Sequence, residues 1–497
     1  MNVAQNVERA AKYFPDKPAV VFEGTSLSYA ELNARVNRLA NTLKEKGAAR
    51  GDRVALYLPN IPAFIISYLA AVRMGAIAVS VNAMLKKDEL QYILTDAGAT
   101  LVFTTNDLLE NVPLDRCPEL KTVVVCEGDS GGHSILDEWL DSGSEAFSGV
   151  DMDPDDPAVL LYTSGTTGFP KGATLTHGNV VSNVWATVHH AGYTPEDRMI
   201  LFLPLFHVFG QNFIMNSTFL ACATLVLHRR FIPDQVLASI KNDGVTMFFA
   251  VPTIYIALLN MDLSPDKIAP IRYEFSAAAT MPQEISAQWT ERFGRPVYEG
   301  YGLTECSPFA CYNHDFSHKF GSVGTPVENF EIKIFDENDQ ELPLGEWGEI
   351  CIRGPGVMKG YWNKPEETAE TLRNGWLHSG DIGNMDEEGY VFIVDRVKDM
   401  INMAGLKIWP AEVEQFLYKH PAIQEVAVYG IPDPEKGELV KAAIVLKEGQ
   451  TATVDEINAF CREKLAVYKA PAVIDIVEEL PKSATGKILK RILRENG

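Results

Sequence analysis

Helical and strand-like segments alternate along much of this chain, and that alternation limits its fold more than any other feature. Residues 29–46 carry apolar side chains at helical spacing, whereas residues 54–58 and 101–104 are short apolar runs of strand length. Such alternation is typical of α/β architecture. Residues 54–81, the most apolar region, are interrupted by prolines and an arginine and predict a strand, a helix and a second strand.

The chain is too long for one hydrophobic core. Its 497 residues predict two or more domains. From residue 321 to 394, short strands separated by glycine and proline turns predict a mostly β subdomain, and helices mix with strands again from there to the end. We therefore predict a boundary between Asp395 and Lys398, with a first domain at residues 1–395 and a second at residues 396–497.

Charge and cysteine content exclude several classes of protein. A net charge of −22 argues against general nucleic-acid binding. No apolar run reaches the length of a membrane span, and the first residues lack the basic and apolar segments of a signal peptide. Seven cysteines at irregular spacing fit neither a disulfide framework nor a zinc site. We expect a cytoplasmic protein without an integral membrane segment.

One loop points to a nucleotide triphosphate. Tyr162-Thr-Ser-Gly-Thr-Thr-Gly-Phe-Pro-Lys-Gly172 follows an apolar, strand-like run and combines four serine and threonine hydroxyls with glycines and a lysine. Glycines let backbone N–H groups approach phosphate, the hydroxyls donate further hydrogen bonds, and the lysine adds positive charge. The spacing is not that of the common P-loop. A polar surface loop is the alternative interpretation.

Four further segments occur downstream in a fixed order. They are Tyr301-Gly-Leu-Thr-Glu305, Ser379-Gly-Asp381, Asp395-Arg-Val-Lys-Asp-Met-Ile401 and Pro481-Lys-Ser-Ala-Thr-Gly-Lys487. Together with the loop, they resemble the adenylate-forming superfamily of acyl- and aryl-CoA synthetases, adenylation domains and luciferases. Residues 410–414 and 463–471 look most like bacterial fatty-acyl-CoA ligases. Five segments in register over more than three hundred residues make this resemblance specific.

The resemblance implies a fold and a reaction. The fold is α/β, with a large N-terminal domain of two α/β subdomains plus a small β-barrel-like subdomain, and a small mobile α+β C-terminal domain. The reaction joins a carboxylic acid to AMP, using ATP and Mg²⁺, and then transfers the acyl group to coenzyme A. The partners are small molecules, with an acyl carrier protein as another possible acceptor, and the protein is expected to be a monomer or homodimer.

The resemblance also implies a role for individual residues. Lys487 is the expected catalyst of adenylation, because an ammonium can bridge the substrate carboxylate and the α-phosphate. Thr304 contacts the α-phosphate, His207 gates the carboxylate site, and Glu305 is the magnesium ligand. The remaining expected cofactor-site residues are Thr163, Ser164, Gly165, Thr166, Thr167 and Lys171 for the phosphates, Ala278, Glu299, Gly300, Tyr301, Asp381 and Arg396 for the nucleoside, and Lys398, Gly405 and Lys407 on the C-terminal side.

The sequence departs from the family pattern at two places. The adenine-side loop, usually rich in glycine, here reads Ser276-Ala-Ala-Ala-Thr-Met-Pro282. Glu299 stands before Gly300-Tyr301, where relatives often carry a neutral amide. The extra methyl groups predict a narrower binding site at the place where the adenine base and the acyl chain meet.

The expected acyl segment is apolar. Residues 204–216 contain no Asp or Glu, and an amino-acid-activating relative would need a carboxylate there to pair with the substrate ammonium. We therefore expect a medium- to long-chain fatty acid. Three alternatives stay open: an aryl-acid ligase, a synthetase that loads a carrier protein, and a non-catalytic nucleotide-binding protein.

Overall fold

The computed structural model describes residues 1–163, 169–396, 399–404 and 406–496. Within these residues the chain forms helices and strands throughout its length. In chain order the strands are β1 (Pro18–Phe22), β2 (Thr25–Ser28), β3 (Arg53–Leu56), β4 (Ile77–Ser80), β5 (Ala99–Thr104), β6 (Thr122–Val125), β7 (Ser134–Ile135), β8 (Pro157–Thr163), β9 (Lys171–Thr176), β10 (Arg198–Leu201), β11 (Thr224–Leu227), β12 (Met247–Ala250), β13 (Tyr273–Ser276), β14 (Tyr298–Gly302), β15 (Phe309–Tyr312), β16 (Thr325–Pro326), β17 (Glu331–Phe335), β18 (Gly348–Arg353), β19 (Gly360–Tyr361), β20 (Leu377–Met385), β21 (Val391–Arg396), β22 (Ile401–Met403), β23 (Leu406–Ile408), β24 (Ile423–Asp433), β25 (Gly437–Leu446) and β26 (Val473–Ile476).

The helices alternate with these strands over most of the chain. They are α1 (Gln5–Tyr13), α2 (Tyr29–Glu45), α3 (Pro62–Arg73), α4 (Lys87–Ala97), α5 (Asn106–Leu109), α6 (Leu136–Ser142), α7 (His177–His190), α8 (Ser217–Leu220), α9 (Pro233–Asn242), α10 (Pro252–Leu259), α11 (Gln283–Phe293), α12 (Pro365–Thr371), α13 (Pro410–Leu417), α14 (Val454–Lys464) and α15 (Lys490–Asn496). A π-helix at Phe209–Asn216 leads directly into α8.

Two large, mostly parallel sheets form the N-terminal part. One has the order β19-β9-β8-β4-β3-β5-β6-β7 and the other β16-β15-β14-β13-β12-β10-β11-β1-β2, with antiparallel strands at the edges. One continuous hydrophobic core contains side chains from both sheets and from α3. The most apolar region is the succession β3, α3 and β4, as its sequence predicts, and α3 is buried from its second residue to its last. The predicted α/β fold is confirmed.

The predicted β subdomain is present. Its described strands form a four-stranded antiparallel sheet with the order β17-β18-β20-β21. On its other side, β21 exchanges backbone hydrogen bonds with the residues just before β16. The Val323 N–H donates to the Val391 carbonyl at 2.9 Å, and the Val391 N–H donates to the Gly324 carbonyl at 2.8 Å. These bonds connect the four strands to the antiparallel strands β14, β15 and β16.

The C-terminal part has a sheet and core of its own. Strands β23-β22-β25-β24 follow one another, and β26 pairs in parallel with β25. Side chains from α13, α14 and these strands form a separate core between residues 401 and 474. The structure thus contains the predicted large N-terminal domain and smaller α+β C-terminal domain. Among the described residues, no helix is long and apolar enough to cross a membrane.

Candidate active site

The glycine- and hydroxyl-rich loop begins and ends on paired strands. β8 ends at Thr163 and β9 begins at Lys171, and these residues are cross-strand partners. The pair places a hydroxyl and an ammonium group at the base of the loop. Lys171 Nζ lies 5.2 Å from the centre of the Tyr361 ring, a cation–π contact that orients the lysine. The other predicted phosphate ligands, Ser164, Gly165, Thr166 and Thr167, lie outside the described residues.

A buried carboxylate stands beside this loop. Glu305 Oε1 accepts hydrogen bonds from the Tyr361 hydroxyl at 2.8 Å and from the Thr163 hydroxyl at 3.4 Å. Burial, together with Glu305, raises the pKa of Tyr361 above its usual value, so the phenol stays protonated and donates. A carboxylate oxygen at the base of a phosphate loop suits Mg²⁺, which is bound by hard oxygen ligands. The residues present therefore fit the predicted magnesium site at Glu305.

Three of the predicted nucleoside ligands are in direct contact. The Tyr301 hydroxyl donates to Asp381 Oδ2 at 2.7 Å, and Arg396 Nε lies 3.1 Å from Asp381 Oδ1. Asp381 and Arg396 are cross-strand partners on β20 and β21, so the sheet fixes their separation. Thr304 opens the short 3₁₀ turn that follows β14. The structure thus brings Tyr301, Asp381 and Arg396 into one polar cluster, although they are far apart in sequence.

A second layer of hydrogen bonds holds the Asp381 strand in place. Glu349 on β18 accepts from the Gly380 N–H at 2.9 Å through Oε1, and its Oε2 lies 2.8 Å from His378 Nδ1. The Ser379 hydroxyl donates to the Ile350 carbonyl at 2.6 Å. These contacts fix the backbone immediately before Asp381, the predicted ribose ligand. Sequence reasoning missed Glu349, because its partners lie about thirty residues away and no local pattern connects them.

The alanine-rich loop after β13 is compatible with the fold at a conformational cost. Ala278 has φ of +69°, a left-handed conformation that usually favours glycine. Gly300 on β14 does not have a positive φ. A Cβ at this position would nevertheless lie 2.5 Å from the Phe275 ring. Gly300 is therefore required by close packing, whereas Ala278 replaces the expected glycine with local strain.

Glu299 is buried next to this loop. Burial raises the pKa of Glu299 to about 8, outweighing a hydrogen bond from the Met281 backbone that lowers it. The side chain is therefore mostly a neutral acid at pH 7, which resembles the neutral amide that relatives often carry at this place. The neutral form explains how the fold accommodates a buried glutamate at this position.

Glu299 should make stability depend on pH. Between the ordinary glutamate pKa of 4.5 and the folded value of about 8, the folded protein holds a proton that the unfolded chain has released. Stability therefore falls as pH rises through this window. We expect Glu299→Gln to raise the free energy of unfolding by about 2–4 kcal/mol at pH 8 and to change it little at pH 4.5. Urea unfolding at both values measures this, with the exposed Glu291→Gln as control. An equal gain at both pH values would contradict the assignment.

His207 and Lys487 interact electrostatically although 280 residues separate them. Burial and the nearby Lys487 ammonium lower the pKa of His207 to about 4, so the imidazole is neutral. Its Nδ1 accepts from the Phe209 N–H at 3.2 Å, which fixes the ring. The turn before Lys487 docks on the large domain, where the Thr253 hydroxyl donates to the Gly486 carbonyl at 3.2 Å. The structure thus holds the Lys487 turn against the large domain, within electrostatic range of His207.

The predicted coenzyme A residues are described in part. Lys407 lies on β23 and is exposed. Gly405 and the predicted pivot Lys398 lie outside the described residues. Two residues that sequence reasoning missed, Tyr361 and Thr253, contact Glu305 and the Lys487 turn. Neither belongs to a recognisable motif, so tertiary contact alone identifies them.

Two family models match this chain. The model described as "AMP-binding enzyme" matches residues 7–362, which is most of the chain. The chain belongs to the AMP-binding enzyme family. A second model, "AMP-binding enzyme C-terminal domain", matches residues 412–487 and covers the small domain.

Similar proteins act on different acids. A long-chain-fatty-acid–CoA ligase of Bacillus subtilis (strain 168) is 37% identical, over 98% of this chain and 93% of that protein. A feruloyl-CoA synthase of an Amycolatopsis species is also 37% identical, over 98% of this chain and 97% of that protein. Among solved structures, the anthranilate CoA ligase AuaEII in complex with anthranoyl-AMP has a TM-score of 0.95 at 30% identity, covering 100% and 97% of the two chains.

Family and relatives together establish the class of reaction. This AMP-binding enzyme is an acid–thiol ligase, which forms an acyl adenylate and then a coenzyme A thioester. It uses ATP, Mg²⁺ and coenzyme A. The predicted family and cosubstrates are thereby confirmed, and the non-catalytic alternative is excluded.

Proposed function

We propose that this enzyme activates medium- to long-chain fatty acids, converting fatty acid, ATP and coenzyme A to fatty-acyl-CoA, AMP and pyrophosphate. One observation carries the proposal: the segment around His207 is rich in apolar side chains, largely buried and free of carboxylates. Residues 204–216 contain Phe206, Phe209 and Phe213 but no acidic side chain. Every residue of the π-helix at Phe209–Asn216 is buried. An uncharged acyl chain is the ligand that such a surface favours.

The polar side chains of this segment are already engaged. Gln211 Nε2 donates to the Ser80 hydroxyl at 2.6 Å, and Asn216 Nδ2 donates to the Tyr68 hydroxyl at 3.1 Å. Asn212 Oδ1 accepts from Asn216 Nδ2 at 3.0 Å. These bonds hold the π-helix in place, and none of the three side chains carries a charge that could pair with a substrate ammonium. A buried substrate ammonium would lack a counter-charge here, at considerable cost.

The site supplies the charges that adenylation needs. Attack of a carboxylate on the α-phosphate brings like charges together, so positive groups must stand where charge develops. In our proposal Lys487 bridges the carboxylate and the α-phosphate, while Thr163, Lys171 and Thr304 hold the phosphates. Tyr301, Asp381 and Arg396 hold the nucleoside. Glu305 would hold Mg²⁺, whose charge offsets that of the phosphates.

The second half-reaction requires a different arrangement. Lys487 and the thiol of coenzyme A cannot occupy the same side of the carbonyl at once, so we propose that residues 396–497 turn relative to residues 1–395 between steps. Lys398 is the proposed pivot, Gly405 leaves room for the pantetheine arm, and Lys407 lies near the coenzyme A phosphates. The exposure of Lys407 on β23 supports its access to a large anionic ligand.

An aromatic acid is the second candidate substrate. Phe213 stacks on Phe275 with ring centres 4.9 Å apart and lies edge-on to Phe209 at 5.1 Å. Rings arranged in this way could also enclose an aryl group, and a feruloyl-CoA synthase and an anthranilate CoA ligase are among the similar proteins. Transfer to a carrier protein instead of coenzyme A is an alternative for the second step.

A panel of acids separates these candidates. We expect decanoate and palmitate to support faster AMP release, at saturating ATP and coenzyme A, than benzoate, cinnamate, ferulate or any α-amino acid. The reason is the buried apolar segment without a carboxylate. Lys487→Ala, assayed with each acid, supplies the background of ATP hydrolysis. A clear preference for ferulate or benzoate would contradict the fatty-acid proposal and leave the ligase class intact.

A further inference from the structure

Three buried or half-buried charges meet where the two domains join, and the reaction as described does not use them. They belong to Asp395 on β21, Glu414 on α13 and Lys490 at the start of α15. Their side chains are 8%, 16% and 18% exposed. Charges this poorly solvated are costly unless each is paired, so their arrangement calls for an explanation.

Asp395 belongs to the large domain but bonds to the small one. It pairs with Ile382 across β20 and β21 in the four-stranded sheet of the large domain. Its Oδ2 nevertheless accepts from the Ala411 N–H at 2.9 Å, in the first turn of α13. The N–H groups of a first helical turn lack partners within the helix and carry partial positive charge, which favours a carboxylate there.

Lys490 ties the same carboxylate to the segment that carries the catalytic lysine. Its Nζ lies 2.8 Å from Glu414 Oε1 and 4.0 Å from Asp395 Oδ2. Burial alone would lower the pKa of Lys490, but Glu414 and Asp395 outweigh that effect and raise it, so the ammonium stays charged. Glu414 in turn accepts from the Val428 N–H at 2.7 Å, which fixes the pair within the small domain. Lys490 follows Lys487 by three residues.

A neighbouring ion pair, unlike the Asp395 contacts, lies entirely on one side of the proposed pivot. Arg494 Nη2 lies 2.9 Å from Asp399 Oδ1, and both residues follow the proposed pivot. This pair therefore lies within the small domain and moves with it. The Asp395 contacts, by comparison, join an atom before the pivot to two groups after it, so rotation at residue 398 must break them.

We infer that Asp395 is a positioning residue that latches the small domain in the orientation directing Lys487 into the adenylation site. The latch consists of the Asp395 contacts with the Ala411 N–H and with Lys490. It favours acyl-AMP formation and must open before coenzyme A attacks. The inference rests on the proposed rotation between half-reactions, not on the identity of the acid.

Separate half-reactions test the latch. Asp395→Ala removes both contacts, whereas Asp395→Asn keeps an acceptor oxygen but loses the charge facing Lys490. We expect single-turnover acyl-AMP formation to fall about tenfold in the alanine variant and less in the asparagine variant, as for one lost charged hydrogen bond. Thioester formation from supplied acyl-AMP and coenzyme A should be unchanged or faster. Asp399→Asn, the same change beyond the pivot, should leave both steps near the parent rate.

A loss confined to the adenylation step distinguishes a latch from general damage to the fold. If both half-reactions fall together, or if neither changes, the inference is wrong. If the alanine variant fails to fold, the asparagine variant decides by the same criteria. If the parent enzyme forms no adenylate from fatty acids but does so from another acid, the proposed substrate is wrong, and the same measurements proceed with that acid.

A structural measurement provides a test without any acid. Hydrogen exchange of residues 408–417 reports the first turn of α13, where the Ala411 N–H bonds to Asp395. We expect faster exchange of this peptide in Asp395→Ala than in the parent or in Asp399→Asn, with ATP and Mg²⁺ present in all three. Equal protection in all three proteins would overturn the latch even if the kinetics changed.

Discussion

Lys487→Ala is expected to form acyl-AMP at least about a hundredfold more slowly than the parent enzyme, the loss typical of removing one preorganised group that stabilises developing charge. The structure supports this role because the Lys487 ammonium lies close enough to His207 to lower its pKa. Thioester formation from supplied acyl-AMP should be much less affected, because attack by coenzyme A needs no second cation at that place. Single-turnover assays of each half-reaction measure the two effects.

A nearby lysine provides the matched control. Lys482 lies in the same C-terminal segment, but its ammonium pairs with Glu425 at 2.7 Å. Lys482→Ala therefore removes an equal charge without removing the group directed at the carboxylate, and it should retain most of the adenylation rate. Equal losses in both half-reactions for Lys487→Ala would argue against an adenylation-specific role.

Lys398→Pro is expected to impair the second half-reaction and to spare the first, which is the opposite of the effect expected for Lys487→Ala. Proline fixes φ near −65° and removes the N–H, so it should block a rotation centred on this residue. The variant should keep ATP- and acid-dependent acyl-AMP formation and lose most transfer to coenzyme A. The structure supports retained adenylation, because it already shows the Lys487 turn docked on Thr253.

Lys398→Ala is the control for this variant. Alanine removes the same side chain but keeps the N–H and the freedom of φ, so transfer to coenzyme A should stay within a few-fold of the parent rate. Parent-like transfer by Lys398→Pro in single-turnover assays would place the pivot elsewhere and move the proposed domain boundary with it.

The sequence predicts the strongly periodic elements well. Helix α2 ends within one residue of the predicted segment 29–46, and the predicted strand at residues 101–104 lies within β5. Strand β14 spans Tyr298–Gly302 and includes the start of the Tyr301 motif. Pairing with β15 on one side and packing of Phe275 against Gly300 extend the strand into the motif.

Motifs predict which residues of the nucleoside cluster come together, but they do not predict the supporting contacts. Tyr301, Asp381 and Arg396 each belong to a short motif, and the fold brings them together as expected. Tyr361, Glu349 and the Asp395 contacts depend on side chains that meet only after sheets and domains assemble. The ionisation of Glu299 and His207 likewise follows from burial, which local sequence does not reveal.

Isotope transfer tests the central claim most directly. The enzyme is given palmitate labelled with ¹⁸O in its carboxyl group, together with ATP, Mg²⁺ and coenzyme A, and the released AMP is analysed by mass spectrometry. Attack of the carboxylate on the α-phosphate places a labelled oxygen between carbon and phosphorus, and cleavage by the thiol leaves that oxygen on phosphorus. Our account predicts one ¹⁸O atom per AMP, formed together with pyrophosphate and palmitoyl-CoA. Thioester formation with unlabelled AMP, or with ADP and labelled phosphate, would contradict it.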